Sequence, residues 1–471
     1  MEIDGGPSFD GTNMLAFVDA LFAQNVDEYS NHPENLMKDV KERCSPYFKN
    51  CKSLNARGCI ADHGELVRMR CMIQDVKGAE IFLASGIADA DEQNATERPV
   101  CGILRDTITC SSVKEVVAMR TRYNYTVVPV PGATDWFIEL FHGPSSALGK
   151  ARFMTSGSDG NSGNASSLSS PASSLKSFAV KAKFFCESAE DLLPNHIFDL
   201  YGVMDKTAII HTDDHDAFGE MLLVELPRVH VIQFEAVEHH DFIALASPEV
   251  QVIELAASML SDEMFIPVMD HERDVLKQGP LQLTNGTLLI LDETELSSGV
   301  MRLAGNAEKN IAALRCIVSS QKVDYDYVFY QLPLHCDINV LILSRHPSVI
   351  IEVPFTVALP PQFTDGLDPT VEMIRSAQGQ MDCRRHALLT SRKAVKDVEI
   401  TDSINKVIED GFMRMRESSS REDAGAQLHR LLTISRLLAA IDRKKEVDEE
   451  CWNKARTMEV KRRVGLAELL R

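Results

Sequence analysis

Leu288 to Leu291 are four uninterrupted apolar residues that run straight into Asp292 and Glu293. A second apolar run, INVLILS (338–344), follows after an intervening helix and hairpin. Continuous apolar runs of this length read as strands buried on both faces, as in a parallel sheet covered by helices. Between them the sequence predicts a helix over 305–318. After it comes KVDYDYVFYQL (322–332), an alternating hairpin-like insertion with Val323, Tyr325, Tyr327 and Phe329 on one face. An apolar strand ending in Asp-Glu is the arrangement with which nucleotide-driven motors hold magnesium and polarise a water, so Asp292 and Glu293 are the candidate chemistry.

Such a site needs a glycine-rich loop whose backbone N–H groups cradle the triphosphate, with a Lys on the phosphates and a Ser or Thr on the metal. The nearest string is GPSSALGKA (143–151). It has one residue too many between its glycines and Ala in place of the hydroxyl, and no buried strand leads into it. The chain's one Gly-Lys pair, Gly149-Lys150, lies in this string. Asp292 and Glu293 are therefore read as a degenerate Walker-B-like pair, with no catalytic residue, cofactor or metal assigned. No nucleophile elbow, His-Glu-x-x-His or Gly-x-Gly-x-x-Gly occurs. Asp324 and Asp326 resemble a paired-carboxylate site but fall on the outer face of an alternating strand, where nothing nearby would shift a pKa.

The serine-rich segment 155–177 carries ten serines in 23 residues and reads as a flexible linker. Residues 1–154 before it are expected to form a helical segment over 10–50 wrapped on a small antiparallel β unit, plausible as a barrel. Its strands are VRMRCMIQDV (67–76), AEIFLASGI (79–87) and NYTVVPVPG (124–132). Residues 178–360 hold the strand-like runs 178–185, 196–204 and 226–234 and then the two apolar strands. Residues 361–471 are helical. Ile404, Val407, Ile408 and Met415 share one face, Ile434, Leu437, Leu438 and Ile441 repeat at helical spacing, and a third helix is expected over 449–463.

The formal net charge of −20 is unsuited to coating DNA, because the surface repels phosphate. Residues 401–471 depart from it, with 15 Lys and Arg against 13 Asp and Glu. The clusters Arg443-Lys444-Lys445 and Lys461-Arg462-Arg463 have the spacing of a two-part import signal, and the alternative is a solvated helix face. No stretch approaches the ~18 apolar residues of a membrane span, and the N-terminus opens on acids and glycines, unlike a secretory signal. Cys44, Cys51, Cys59 and Cys71 lack the close pairing of a zinc site and read as buried thiols. His211, Asp213, Asp214, His215 and Asp216, and likewise His239, His240 and Asp241, read as solvated loops.

Apolar strand with Asp-Glu, helix, hairpin, second strand and helical lid is the order of a AAA+ module, and residues 423–459 look like the lid of the MCM replicative helicases. QKVDYDYVFYQLPLHCDINVLILS (321–344) strongly resembles the family of minichromosome maintenance (MCM) complex-binding proteins. So do LLILDETELSSG (288–299), VRMRCMIQD (67–75), VPVPGATDW (128–136), FDLYGVM (198–204), LPRVHVI (226–232) and the lid-like segment with Trp452. The resemblance implies an α/β multidomain chain with an N-terminal barrel-like domain of oligonucleotide-binding (OB) type, a degenerate AAA+-like α/β core and a C-terminal helical lid. It further implies a non-enzymatic nuclear protein that binds MCM helicase subunits and reaches chromatin through them. Family members regulate assembly, stability or unloading of the helicase in DNA replication and support sister-chromatid cohesion. Only about 55 residues separate LPRVHVI from LLILDE, where this family has a longer segment. Two other readings remain: an ATPase with a non-standard phosphate site, and a nucleic-acid binder using the barrel.

Overall fold

Strand β2, Leu66–Ala88, is the spine of the largest sheet among the described residues. Its residues alternate between two faces, and both faces of its first ten residues are buried. The computed structural model describes residues 13–56, 61–89, 97–133, 179–206, 226–237, 250–294, 305–346 and 394–469, apart from 109, 111, 273–274 and 419–420, with a few isolated residues besides. The chain is mixed α/β with several sheets and C-terminal helices. It parts into two units. The first holds Met1–Val237, Glu249–Asp292 and Arg302–Leu341, and the second holds Glu238–Pro248, Glu293–Met301 and Ile342–Arg471.

In the first unit, β1 (Lys52–Ser53) and β3 (Arg98–Cys101) pair with β2 at its two ends. Strand β4 (Val113–Pro129) runs antiparallel to β2, and β5 (Val180–Phe184) runs antiparallel to β4. β7 (Arg228–Ala236) is parallel to β5, β6 (Ile197–Asp205) is antiparallel to β7, and β6 pairs with β2 from Leu66 to Met72. The serine-rich segment 155–177 lies outside the described residues. The strands on either side of it are direct neighbours in one sheet, so the sheet draws on both sides of the expected boundary. One face of the sheet gathers Val67, Met69, Cys71, Ile73, Tyr125, Val127, Ala182, Phe184, Leu200 and Val229 into an apolar cluster. Leu66, Phe82, Ala84, Ala118 and Val203 pack instead against helices α1 (Met14–Phe22), α2 (Val26–Asn31) and α3 (Pro33–Cys44), which cover the sheet as their apolar spacing predicts.

Gly202 explains part of the FDLYGVM string. A Cβ there would lie 2.4 Å from His230 O and 2.8 Å from Val229 Cγ1, at the point where the β6–β7 register shifts. Backbone cannot retreat inside a paired sheet, so Gly202→Ala is expected to cost about 2 kcal/mol or more. Urea unfolding measures it, and an unchanged midpoint would contradict the close approach.

Beyond this sheet, β8 (Val250–Glu254) and β11 (Leu288–Asp292) pair in parallel, and β14 (Asn339–Leu343) flanks β11. Between β8 and β11 come helix α4 (Ala257–Asp262) and the strands β9 (Val268–Asp270) and β10 (Val275–Lys277). Helix α5, Ala307–Ser320, precedes β12 (Lys322–Asp326) and β13 (Gln331–His335). The expected hairpin is present as β12–β13, and it joins β9 and β10 in a separate sheet of order β10-β9-β12-β13. The expectation of burial on both faces is corrected for the two apolar strands. Leu289, Leu291 and Ile253 are buried, whereas Val252 and Leu341 are exposed and Leu288 and Ile290 half-buried. The cause is width: the described sheet is three strands across, and an apolar run carries no mark of which faces are covered.

In the second unit, α6 (Asp402–Ser418), α7 (Arg421–Ile441) and α8 (Glu449–Leu469) form the C-terminal helices. Ile404, Ile408, Leu431, Trp452 and Ala455 make their core, with Val407 and Met415 packed on it as expected. The stripe expected on α7 turns partly outward: Leu437 and Ile441 are exposed, and Leu431, Ser435 and Ala439 are buried instead. Small side chains occupy the contact because α7 and α8 run close together, which a pattern of large apolar residues does not reveal.

Candidate functional site

Asp292 closes β11 in register with Glu254 of β8, and its carbonyl accepts the Leu255 N–H at 2.8 Å. Glu293, in the second unit, is 3% exposed. Its backbone N–H donates to Leu343 O at 2.8 Å, and its Oε1 accepts the Ser348 hydroxyl at 2.8 Å. Burial raises its carboxyl above the usual range, while the hydroxyls of Ser348 and Ser344 draw it down. A buried acid held by two hydroxyls stands as a packed polar residue. Because its folded pKa is raised, the charged form costs stability above the ordinary carboxylate pKa of ~4.3, and this cost vanishes in acid. Glu293→Gln keeps an acceptor for Ser348 and removes the charge. It is expected to raise the melting temperature at pH 7, with the gain shrinking as the pH falls through the raised folded value and gone by about pH 4; a lower melting temperature at pH 7 would show the charge to be used.

The loop-like string 143–151, the acidic run 211–216 and residues 239–241 lie outside the described residues. Asp324 and Asp326 sit on the outward positions of β12, alternating with buried Val323 and Tyr325. Cys44 belongs to the cluster under the helices and Cys71 to the sheet cluster, whereas Cys51 and Cys59, also expected to be buried, are half-buried; burial pushes the Cys44 thiol up to about 12. Lys461, Arg462 and Arg463 fall inside helix α8. Arg462 forks onto Glu459 at 2.7 and 2.8 Å and donates to Thr356 O at 3.0 Å, and Arg463 reaches Gln427. Arg443 and Lys444 lie in the turn before α8, with Lys444 on Asp448 at 2.6 Å. No helix among the described residues is long and apolar enough to cross a membrane.

Sequence reasoning missed two arrangements. The first is a buried ionic cluster in the first unit. Asp106 Oδ1 accepts from Lys183 Nζ and Arg122 Nη2, each at 2.6 Å, and its Oδ2 meets Arg228 Nε at 2.7 Å. Glu80 accepts from Lys183 at 3.0 Å and from Arg122. Asp205 Oδ2 accepts the Nε2–H of His230 at 3.1 Å, and its Oδ1 lies 3.5 Å from Arg228. Asp106, Asp205 and His230 converge closely enough to suggest a metal site. The donor set does not fit one, because a divalent cation would have to displace three cations already seated on Asp106. No signal in the sequence joins these residues, which lie on five strands and the loop between β3 and β4.

The second arrangement is what QKVDYDY builds. Tyr325 is 1% exposed, donates its hydroxyl to Asn195 Oδ1 at 2.7 Å and accepts from Gln282 Nε2 at 2.9 Å. Gln282 Nε2 is also 3.2 Å from Gln74 O, and Gln74 Nε2 donates to Leu276 O at 3.0 Å. Tyr327 donates to Asp75 Oδ1 at 3.0 Å. Tyr325 of β12 and Tyr327 just beyond it thus tie the hairpin to β2 and to the turn before β6. Burial, then the Asp75 charge, raises the Tyr327 hydroxyl well above its ordinary range, so it stays protonated and donates.

Comparison with known proteins adds to this geometry. The family model described as mini-chromosome maintenance replisome factor matches residues 55–160 and 240–466. Mini-chromosome maintenance complex-binding proteins are similar in sequence. The one from Salmo salar is 30% identical over 212 residues, covering 45% of this chain and 33% of its own length. The one from Homo sapiens is 30% identical over 205 residues, 43% of this chain and 32% of its own. The one from Drosophila melanogaster is 26% identical over 244 residues, 50% of this chain and 38% of its own. The matched part spans about a third of these relatives' length.

Proposed function

Because the chain belongs to the mini-chromosome maintenance replisome factor family, we propose that it binds subunits of the MCM helicase and acts on that complex without chemistry of its own. The observation that carries this reading is the family match, which takes in β2, the hairpin and the C-terminal helices together. The relatives are named for binding the MCM complex, and the same role is proposed here.

The architecture supports a subunit-like outline. Strands β2, β4, β5, β7 and β6 pair in that order, β6 returns to β2, and β5–β7 is the parallel pair. This pairing order supports the reading of the sheet as a five-stranded barrel of OB type. Parallel β8, β11 and β14 with Asp292 at the strand end, followed by the C-terminal helices, support a degenerate AAA+-like core and lid. A chain with that outline and no standard phosphate loop occupies a neighbour's interface without joining the ATP cycle. Ring interfaces are heterologous, so such a decoy caps one side and blocks closure. On this reading the protein regulates assembly, stability or unloading of the helicase, works in the nucleus, contacts chromatin through MCM, and supports replication and cohesion.

Pull-down with individually expressed MCM subunits tests the proposal, with capture of at least one expected and capture of none overturning it. The second reading, an ATPase using Asp292 and Glu293, predicts specific ATP binding by the purified chain at micromolar concentration. None is expected.

A further inference from the structure

The tip of the β12–β13 hairpin holds Phe329 at 84% exposure, the highest among the large apolar side chains described, with Val328 and Tyr330 at 59% on either side. An exposed aromatic on a loose turn would mean little, but this turn is fixed. Val328 has φ +68°, a conformation that a β-branched residue adopts only when its surroundings impose it. The Val328 N–H donates to Asp326 Oδ1 at 2.8 Å, and the Tyr327 and Phe329 N–H groups close the turn on Tyr330 O and Tyr327 O. The rings of Tyr327 and Tyr330 stack at 5.0 Å, and the His271 ring lies 5.1 Å from Phe329 while its Nε2 donates to Tyr327 O at 3.0 Å. Beneath them the buried hydrogen bonds of Tyr325 and Tyr327 hold β12 in place.

We infer that this tip is a docking anchor: Phe329, flanked by Val328 and Tyr330, inserts into an apolar pocket with a basic rim on a folded protein partner. Preorganised aromatic anchors of this kind lose little conformational freedom on binding and carry a large share of interface affinity. Charge selects the rim. Residues 323–334 contain Asp324 and Asp326 and no Lys or Arg. The same carboxylates disfavour a single-stranded nucleic acid, whose bases could stack on Phe329 but whose phosphates would be repelled. The identity of the partner as an MCM subunit rests on the function proposed above.

The test measures binding of the full-length chain to the MCM subunit it captures, for the wild type, Phe329→Ala, Asp324→Lys and the control Ile81→Ala, whose side chain is exposed elsewhere. Phe329→Ala is expected to weaken binding at least tenfold with an unchanged melting temperature. Asp324→Lys is expected to weaken it severalfold and to flatten its salt dependence, and Ile81→Ala to leave it unaltered. Equal binding by wild type and Phe329→Ala overturns the docking anchor and leaves the proposed function standing. No capture by the wild type overturns both. Two further results also overturn the assignment: self-association of the wild type that Phe329→Ala abolishes, which would give the pocket to a second copy, and tight binding of an oligothymidine that Phe329→Ala abolishes.

Discussion

Residues 178–471, expressed without the rest of the chain, are expected to be insoluble, and co-expression with residues 1–154 is expected to return both fragments to solution as one complex. The reason is the sheet. β5 and β6 each lose a partner when β4 and β2 are absent, which exposes two long strand edges. The apolar cluster of the sheet is drawn from both fragments, with Val67, Met69, Ile73, Tyr125 and Val127 on one and Ala182, Phe184, Phe198, Leu200 and Val229 on the other. Neither set can bury itself. The hairpin would also lose its bonds to β2, since Gln74 O accepts from Gln282 and Asp75 accepts from Tyr327. Size-exclusion chromatography of the co-expressed fragments gives the answer. A soluble 178–471 fragment with a cooperative melt would refute the pairing of β5 with β4 and of β6 with β2.

Asp106→Ala is expected to destabilise the protein by about 3–5 kcal/mol, the range for removing one partner from a buried ion cluster. Lys183, Arg122 and Arg228 all point at this carboxylate, and their side chains are each less than a tenth exposed. Removing it leaves three cations sharing Glu80 and Asp205. Burial works against the charged form of Asp106, but His230, Lys183 and Arg122 outweigh it and hold the carboxyl below its ordinary range. A lowered folded pKa means that the stabilisation is present above ~3.9 and is lost as the pH falls through the folded value. Wild-type stability should therefore fall steeply in acid, and the variant should show a shallower fall from a lower start. Urea unfolding between pH 3 and 7 measures both. A loss under 1 kcal/mol at pH 7 would mean that the cluster is solvated and weak.

Much of the local structure was legible in the residues. The alternating runs over 67–87 became one strand, β2, and the runs near 124–132, 178–185, 196–204 and 226–234 became β4 to β7. Periodicity located the hairpin and the C-terminal helices because each is a local pattern. What the residues did not reveal is partnership. β2 meets β6 across more than a hundred residues, and Arg70 meets Asp199 with two bonds of 2.7 Å. Spacing along a chain carries no trace of such a pair. QKVDYDY was legible as a distinctive string, yet its role in holding the hairpin emerged only from where Asn195, Gln282 and Asp75 lie in space. The outward Phe329 was expected on the same face as Tyr325, and the tight turn at Val328 is what diverts it.

The order of pairing in the large sheet has a consequence for biosynthesis. β2 ends at Ala88, but its neighbour β6 and the closing strand β7 end at Asp205 and Ala236. At roughly 5–20 residues per second, translation leaves the free edge of β2 waiting about 6–23 seconds for β6, and longer for β7 to close the sheet. During that interval the nascent chain shows an extended, half-apolar edge, the state most prone to capture by another nascent chain or by a chaperone. Synonymous changes that slow the ribosome between codons 89 and 236 should therefore lower the yield of soluble protein, although every amino acid stays the same.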